Sequence, residues 1–380
     1  MLFSVTSRIP LHRLLLVPRP PSGPFSRLIM DLGALVTSLN DFASLSLAES
    51  WDNVGLLVEP SPPHMVHTLL LTNDLTEEVL EEAVGQAAGL ILSYHPPIFR
   101  PLKRLSWGSW KERLIIRALE NRVAVYSPHT AYDAVPQGVN DWLAKALGPS
   151  STVPLHPSTV ACYPGGNSHR VEFNSKHSPD LQATLSGLQV IPGVSITTLP
   201  ARRGGGEECV RVSLSCTQDG MQQAVELLTK DTILYDSTEV LSLQKPPLPQ
   251  AGMGRLCTLR ESISLAVAVE CVKRHLGLSH LRLALGKEKT LESFVQTAAV
   301  CAGSGASVLC GVKADLYLTG EMSHHKVLDA VARGTSVILC EHSNTERGFL
   351  RLLRDSLAVR FGGQVKVEVS QKDRDPLQII

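Results

Sequence analysis

The chain has 380 residues, 43% of them hydrophobic, and its 36 Lys and Arg residues equal its 36 Asp and Glu residues in number. This length and composition suffice for two or three cores of ordinary domain size, as in a globular protein. The zero net charge disfavours recruitment of nucleic acid by electrostatic attraction, and no apolar run reaches the roughly 18 to 20 residues of a membrane span.

The first thirty residues differ in composition from the rest. They contain Arg8, Arg13, Arg19 and Arg27, several serines and no acidic residue. This is typical of a mitochondrial presequence, and the alternative is a proline-rich tail outside the fold. Residues 1–30 are therefore excluded from the folded domains. A presequence predicts a mitochondrial location, and a tail predicts a cytoplasmic one with the nucleus as a second compartment.

Residues 31–155 alternate between strand and helix patterns. The apolar runs in HTLLLTND, AGLILSYHPP and VAVYSPH predict buried strands, and LTEEVLEEAVGQA and WKERLIIRALEN predict the helices between them. Strands that are separated by helices usually pair in parallel, with the helices covering the sheet. This part of the chain predicts a layered α/β domain.

Residues 160–245 follow a different order, between two linkers rich in proline. The segments HRVEFN, GVSITTLP, CVRVSLSC and ILYDSTEVLSL predict strands, and SPDLQATLSGLQ and GMQQAVELLTK predict helices. The resulting order βαββαβ is that of the ferredoxin-like α+β unit. We therefore predict that this unit is inserted between two α/β halves.

Residues 251–380 return to the pattern of the first half, which indicates an internal duplication. VAVYSPHTAYD has a counterpart in SVILCEHSNTE, and each is an apolar strand that ends in a histidine with a carboxylate four residues later. The pairs are His129 with Asp133 and His342 with Glu346. Ligands bind beyond the carboxyl ends of strands in open α/β sheets, so the two halves are expected to face one cleft.

These strand ends carry the side chains of a metal site, since imidazole and carboxylate are common ligands of zinc, manganese and iron. Two further strand ends have the same character: SYHPP with His95, and TGEMSHH with Glu321, His324 and His325. A single His-x-x-x-Glu pair is more often a surface polar pair. His95 could instead serve a rigid turn before two prolines, and either neighbouring histidine could face solvent on a helix.

Seven motifs, in order along residues 31–380, carry a resemblance to a known family: SLNDFASLSLAESWDNVGLLV, TNDLTEEV, ILSYHPPIF, YSPHTAYDAVPQGVNDWLA, ADLYLTGEMSHH, CEHSNTERG and DRDPLQII. With them the chain resembles the NIF-three-like family, and its vertebrate members in particular. Bacterial members are labelled GTP cyclohydrolase I type two homologues. The resemblance implies a duplicated three-layer α/β fold with a ferredoxin-like (PII-like) insert. It also implies a homo-oligomer, a dimer or a hexamer, with a dinuclear metal site.

The resemblance implies one metal-ligand set drawn from both halves: His95, Asp133, His342 and Glu346. Bacterial members have a second histidine where this chain has Tyr94. A phenol with a reference pKa of about 10 is a poor substitute for imidazole at neutral pH. The number of divalent cations per subunit, one or two, is therefore open.

Hydrolysis is the reaction class that such a site favours, because a divalent cation lowers the pKa of bound water. The expected substrate class is a nucleotide or another phosphoester. His129 and Glu321 are the candidate proton-transferring residues, with His325 in the same cleft. The glycine-rich stretch CAGSGAS, residues 301–307, is either an ordinary turn or a phosphate-binding one.

A hypothesis from another class remains open beside the enzyme. The chain could be a scaffold or transcriptional co-regulator with a structural metal, since the family name records an interaction with the transcription machinery. Replacement of a ligand histidine by Tyr94 fits a protein without catalysis. This hypothesis predicts protein partners, including transcription regulators, and neither hypothesis predicts direct nucleic-acid binding or a membrane partner.

Overall fold

A computed structural model describes residues 29–158, 167–176, 178–202, 207–243 and 248–377. The targeting prediction therefore lies outside the described residues, except for the last two positions of its segment. Among the described residues, no helix is long and apolar enough to cross a bilayer. The cysteines of the described part are free thiols.

The strands of the described chain are β1 (Met30–Asp31), β2 (Gly55–Val58), β3 (Met65–Val66), β4 (Thr68–Thr72), β5 (Leu90–Ser93), β6 (Ala124–Ser127), β7 (Ser150–Pro157), β8 (His169–Ser175), β9 (Val194–Arg202), β10 (Glu208–Cys216), β11 (Glu239–Ser242), β12 (Gly252–Ser264), β13 (Arg282–Ala284), β14 (Phe294–Ser304), β15 (Leu316–Glu321), β16 (Ser336–Leu339) and β17 (Lys366–Val369). The α-helices are α1 (Leu32–Phe42), α2 (Glu77–Gly85), α3 (Trp110–Glu120), α4 (Thr130–Ala134), α5 (Val139–Ala144), α6 (Pro179–Gln189), α7 (Gln218–Leu228), α8 (Thr232–Asp236), α9 (Leu265–Leu276), α10 (Ala306–Leu309), α11 (His324–Ala332) and α12 (Phe349–Arg360). Short 3-10 helices span Leu45–Leu47, Lys145–Leu147 and Ser343–Thr345.

The first sheet has the strand order β17-β4-β5-β6-β2. Strands β17, β4, β5 and β6 are parallel, and β2 pairs with β6 in the antiparallel sense. Helices α2 and α3 cover its outer face in one apolar cluster. The Thr76 side chain begins α2 by accepting a hydrogen bond from the Val79 N–H. The negative charges of Glu77 and Glu78 in the first turn interact favourably with the helix dipole.

The second sheet repeats this arrangement, in the order β13-β16-β15-β14-β12-β7. Strands β14, β15 and β16 are parallel, and β13 lies antiparallel beside β16 as β2 does beside β6. The succession α9-β13-β14-α10-β15-α11-β16 matches α1-β2-β4-α2-β5-α3-β6. The duplicated α/β fold expected from the sequence is confirmed.

Each sheet also takes a strand from beyond its own repeat. β7, which follows the first repeat in the chain, pairs with β12 in the second sheet. β17, near the end of the chain, pairs with β4 in the first sheet. The two halves are therefore interlocked, because separating them would break backbone hydrogen bonds in both sheets.

A single apolar core lies between the two sheets. It combines the inner faces of both sheets with α1, α4, α5, α9 and α12. Successive side chains of strand β4 point to opposite faces of its sheet. Leu69 and Leu71 enter this core, while Leu70 packs under α2 and α3. Helices α10 and α11 close the outer face of the second sheet.

The insert is a four-stranded antiparallel sheet in the order β11-β8-β10-β9, packed against α6 and α7. This is the ferredoxin-like topology that the sequence predicted. One element differs, since residues 233–243 were expected to form a single strand. The Asp231 carboxylate accepts the N–H groups of Ile233 and Leu234 and begins α8, which leaves the strand to Glu239–Ser242.

Arg255 on β12 is the largest fully buried side chain, with 1% of its surface exposed. Its Nε and Nη2 donate to the Asp141 carboxylate at 2.7 and 2.9 Å, which joins the second sheet to α5. Nη1 donates to the carbonyl oxygens of Gly252 and Gly254, and Nη2 also donates to that of Val135. A buried guanidinium is tolerated here because its N–H groups are hydrogen-bonded and its charge is paired with a carboxylate.

We expect Arg255→Ala to lower the free energy of unfolding by about 3 to 5 kcal/mol, because it leaves the Asp141 charge and several carbonyl groups without a donor. Urea denaturation followed by circular dichroism measures the change. Arg333→Ala, at an exposed position, is the matched control and should change stability by no more than about 0.5 kcal/mol. A loss below about 1 kcal/mol for Arg255→Ala would show that this pair does not hold the halves together.

Candidate metal centre

The carboxyl ends of the parallel strands in both sheets meet at one cleft. His95 follows β5 of the first sheet, and His342 follows β16 of the second. Their ring centroids lie 5.2 Å apart. The two repeats thus bring their strand ends together, as the switch-point geometry of open α/β sheets favours.

Glu346 lies between the two imidazoles and completes the cluster. Its Oε2 is 3.3 Å from His95 Nε2, and its Oε1 is 3.3 Å from His342 Nε2. The ligand atoms of these three residues lie within 4.8 Å of one another, and Glu346 is 4% exposed. Two imidazole nitrogens and a carboxylate can hold a divalent cation with a coordination position left open.

Each imidazole is oriented by a carboxylate on its opposite nitrogen. His95 Nδ1 lies 2.9 Å from Asp74 Oδ1, and His342 Nδ1 lies 3.1 Å from Glu321 Oε2. A proton on each Nδ1 leaves the Nε2 lone pair of the neutral ring facing Glu346. Such carboxylate–histidine pairs are the usual support of histidine ligands in metal sites.

The arrangement of the ligand atoms in the cluster suits a bound cation better than it suits direct pairing between these residues. His95 Nε2 is buried and has no hydrogen-bond partner among the described residues, despite its short distance to Glu346. The Asn73 amide donates to Glu346 Oε2 at 3.2 Å, which stabilises the carboxylate. The protonated ring pairs its charge with Glu346 across 3.3 Å, whereas the neutral ring would face the carboxylate with a lone pair, which is costly unless a cation binds both.

The protonation of the metal-free cluster follows from its charges. Burial opposes the imidazolium form of His95, but the charge of Glu346 and the bonds to Asp74 outweigh it and raise the pKa of His95 to about 10. The hydrogen bond to Glu346 raises the pKa of His342 to about 9 against the effect of burial. Burial disfavours the carboxylate of Glu346, yet the charge of His95 lowers its pKa below the usual range. A cation must therefore displace protons from both imidazoles.

The glycine-rich stretch at the end of β14 brings backbone against this cluster. Gly303 has φ +61°, and a Cβ at this position would lie 2.6 Å from Glu346 Oε1. Its N–H donates to Thr345 Oγ1, and the Gly305 N–H donates to Thr319 Oγ1. These two N–H groups are already bonded within the protein, so the stretch supports close packing at the cleft rather than a phosphate-binding loop.

Asp133, the fourth residue of the implied ligand set, lies beside the cluster but not in it. The Tyr94 hydroxyl donates a hydrogen bond to Asp133 Oδ1. Burial raises the pKa of Asp133 to about 7, with a further contribution from the charge of Glu346. Burial also raises the pKa of Tyr94 well above its ordinary value, so the phenol is a hydrogen-bond donor at neutral pH.

His129, a candidate proton-transferring residue, stands at the mouth of the cluster. Its ring centroid is 5.3 Å from that of His95, and its Nδ1 is 2.7 Å from Asp52 Oδ1. The backbone of His129 has φ +35°, which is rare for a residue with a side chain. The Asp52 carboxylate also accepts the N–H and hydroxyl of Thr130, at 3.1 and 2.5 Å, and thereby stabilises this strained turn.

The two remaining candidates differ in position. Glu321 contacts His342 and is therefore part of the cluster's support. His325 is exposed in the first turn of α11, and the ring contact that the structure gives for it is with His324, at 5.6 Å. The structure does not bring His325 to the cluster.

Sequence reasoning missed several residues that surround the cluster. Asp74 and Asn73 follow β4 directly, and polar residues after a buried strand were the available signal. Asp373, in the last motif, accepts the Asn73 N–H at 2.7 Å and lies 3.2 Å from Arg347 Nε. Asp52 had no distinguishing pattern, since an aspartate in a loop is most often a turn residue.

Comparison with known proteins agrees with this architecture. Residues 30–376 match the sequence profile of the Duf34/NIF3 (NGG1p interacting factor 3) family. The chain is 62% identical over 355 residues to NIF3-like protein 1 of Homo sapiens, covering 93% of this chain and 94% of that protein. It is 31% identical over 362 residues to NGG1-interacting factor 3 of Saccharomyces cerevisiae, covering 92% and 97%.

Among solved structures, a hypothetical protein of Staphylococcus aureus superposes with a TM-score of 0.70 at 23% identity, covering 92% of this chain and 99% of that one. A Bacillus cereus protein related to NIF3 superposes with a TM-score of 0.64 at the same identity and coverage. These likenesses support the fold. The profile match and the close relatives confirm the resemblance drawn from the sequence motifs, and the chain belongs to the Duf34/NIF3 family.

Proposed function

We propose that the chain is a metal-dependent hydrolase of phosphoesters and that its reaction takes place at the cluster of His95, His342 and Glu346. The observation that supports this most is the convergence of two imidazole nitrogens and the buried Glu346 carboxylate within 4.8 Å of one another. Zinc, manganese and iron are the candidate ions, since mixed nitrogen and carboxylate sites suit them. When bound, such an ion polarises a phosphoryl oxygen and lowers the pKa of water.

The residues around the cluster have separate tasks in this proposal. His95, His342 and Glu346 hold the ion, while Asp74 and Glu321 orient the imidazoles. His129 faces the cleft with its Nδ1 engaged by Asp52, so its Nε2 is free to accept or deliver a proton. The bonded Nδ1 also selects one tautomer of the ring, as the carboxylate of a catalytic triad does.

We further propose that Asp133 joins the ligand set when the ion is bound. The Tyr94 hydroxyl holds this carboxylate beside the cluster, and the charge of Glu346 reaches it. A cation would remove the electrostatic cost that keeps Asp133 partly protonated in the metal-free state. With Asp133, the ion would have four protein ligands.

A second candidate function is an assembly factor whose metal is structural. The yeast relative is named for its interaction with NGG1, and we extend from that name the proposal that this chain also has protein partners. A homo-oligomer, a dimer or a hexamer, is part of the same proposal. Light scattering with and without a chelator separates the two candidates, since only the scaffold predicts disassembly on chelation without any turnover.

We expect His342→Ala to reduce divalent-metal affinity more than Asp74→Asn does. Loss of an orienting carboxylate typically costs about 10- to 100-fold, and loss of a ligand costs more. Metal content after dialysis against zinc or manganese, measured by plasma mass spectrometry, gives both values. His324→Ala on the exposed start of α11 is the matched control. Equal uptake by His342→Ala and the control would refute the cluster as a metal site.

His129→Gln should lower kcat on bis(4-nitrophenyl) phosphate by about 10²- to 10⁴-fold while metal content stays unchanged, because it removes the proton-transferring group and none of the proposed ligands. The assay is release of 4-nitrophenolate in the presence of manganese or zinc. His324→Ala again serves as the control, and His342→Ala should lose turnover and metal together. Turnover that survives chelation would exclude the proposed mechanism.

The pH dependence of stability tests the role of Asp133. Its folded pKa of about 7 exceeds the unfolded value of 3.8, so the metal-free protein loses stability as pH rises from about 4 to 7. Asp133→Asn lacks this loss. Its free energy of unfolding relative to that of the parent protein should therefore rise by on the order of 4 kcal/mol across that window. Urea titrations at pH 4 and 8 measure it. The difference should vanish with metal bound; persistence would exclude Asp133 as a ligand.

A further inference from the structure

Two exposed aromatic side chains stand at the entrance to the metal centre. Trp51 is 59% exposed and Phe99 is 42% exposed, and their ring centroids are 6.0 Å apart at an angle of 62°. Each ring also makes an edge contact with the His129 ring, with centroid distances of 6.1 Å for Trp51 and 6.4 Å for Phe99. Single exposed hydrophobic residues need no explanation, but two aromatic rings converging on a residue of the site do. We refer to Trp51 and Phe99 as the aromatic rim.

The aromatic rim is held in place by polar contacts rather than by burial. Asn53 Nδ2 donates to the Ile98 carbonyl at 2.5 Å, which ties the segment before Phe99 to the segment after Trp51. Asp52, next to Trp51, is bonded to His129. The two rings are therefore positioned before any ligand arrives, which reduces the entropy cost of binding.

The loop that begins with Phe99 is cationic. Residues 99–109 contain Arg100, Lys103 and Arg104 but no acidic residue, and the three cations are exposed. The chain as a whole has no net charge, so the positive charge of this loop is a local excess. Such an excess raises the local concentration of anions.

We propose that the aromatic rim binds the base of a free nucleotide, with the phosphate directed toward the metal centre. This inference rests on the proposed phosphoester hydrolysis and names its substrate class. A base that stacks on one ring meets the edge of the other, and every nucleobase offers a π-face for this contact.

The spacing of the site suits the three parts of a nucleotide. The ring centroid of Trp51 lies 6.1 Å from that of His129, and the centroid of His129 lies 5.3 Å from that of His95 in the metal cluster. The base would lie on the rim, the sugar beside His129, and the phosphate at the cluster. A face for a second copy of the chain would not need this continuity with the cluster or the cationic loop.

The test compares the binding of AMP with that of ribose 5-phosphate, which lacks the base, by calorimetry on the full-length protein. AMP should bind more tightly than ribose 5-phosphate to the parent protein. Trp51→Ala should weaken AMP binding by about 5- to 150-fold, the range for loss of one base–aromatic stack, without affecting ribose 5-phosphate. Trp51→Phe, which keeps a ring, should restore most of the affinity. Trp107→Ala is the matched control, because Trp107 is 60% exposed on the same loop.

Equal AMP affinity in the parent protein and Trp51→Ala, or equal affinity for both ligands, would overturn the inference. A change in oligomer mass of Trp51→Ala in light scattering, without a change in AMP binding, would assign the rim to self-association instead. Cleavage of phosphoesters without any preference for a base would refute this inference and leave the proposed function standing. Base-dependent binding without turnover in the presence of any metal would support this inference and refute the proposed hydrolase function.

Discussion

The carboxylate of Glu346 is the group on which the rest of the site depends. It is buried, and a buried carboxylate is stable only when cations or donors surround it. Its partners come from both repeats, His95 from the first and His342 from the second. Docking of the two halves in any other register would deprive this charge of His95 and of the Asn73 amide, and leave it only the partners within its own half. The pair of Arg255 and Asp141 imposes the same requirement at a second point of the interface.

Duplication explains why the cleft forms, but the two copies no longer contribute alike. The first half supplies His95 with its Asp74 support and the strained His129. The second half supplies His342, Glu346 and the glycine at 303 that lets backbone approach them. The site therefore could not be assembled from two identical halves, and each repeat is functionally incomplete without the other.

The sequence was sufficient for the features that depend on local pattern. Continuous apolar runs located the parallel strands, and the position of His342 and Glu346 after a strand pointed to their meeting with His95. Non-local pairings were not predictable in this way. Nothing within β17 indicates that it joins the first sheet, because strand pairing depends on partners far along the chain. Asp52 was missed because its role depends on His129, a residue that approaches it only in the folded protein.

The strained backbone of His129 connects these observations to function. A residue with φ +35° costs free energy, which the bonds of Asp52 to His129 and Thr130 offset. Because Trp51 precedes Asp52, the contacts that stabilise the strained turn also position a ring of the aromatic rim. In the proposed function, the conformation of this turn, proton transfer by His129 and ligand binding at the rim would all depend on the Asp52 carboxylate.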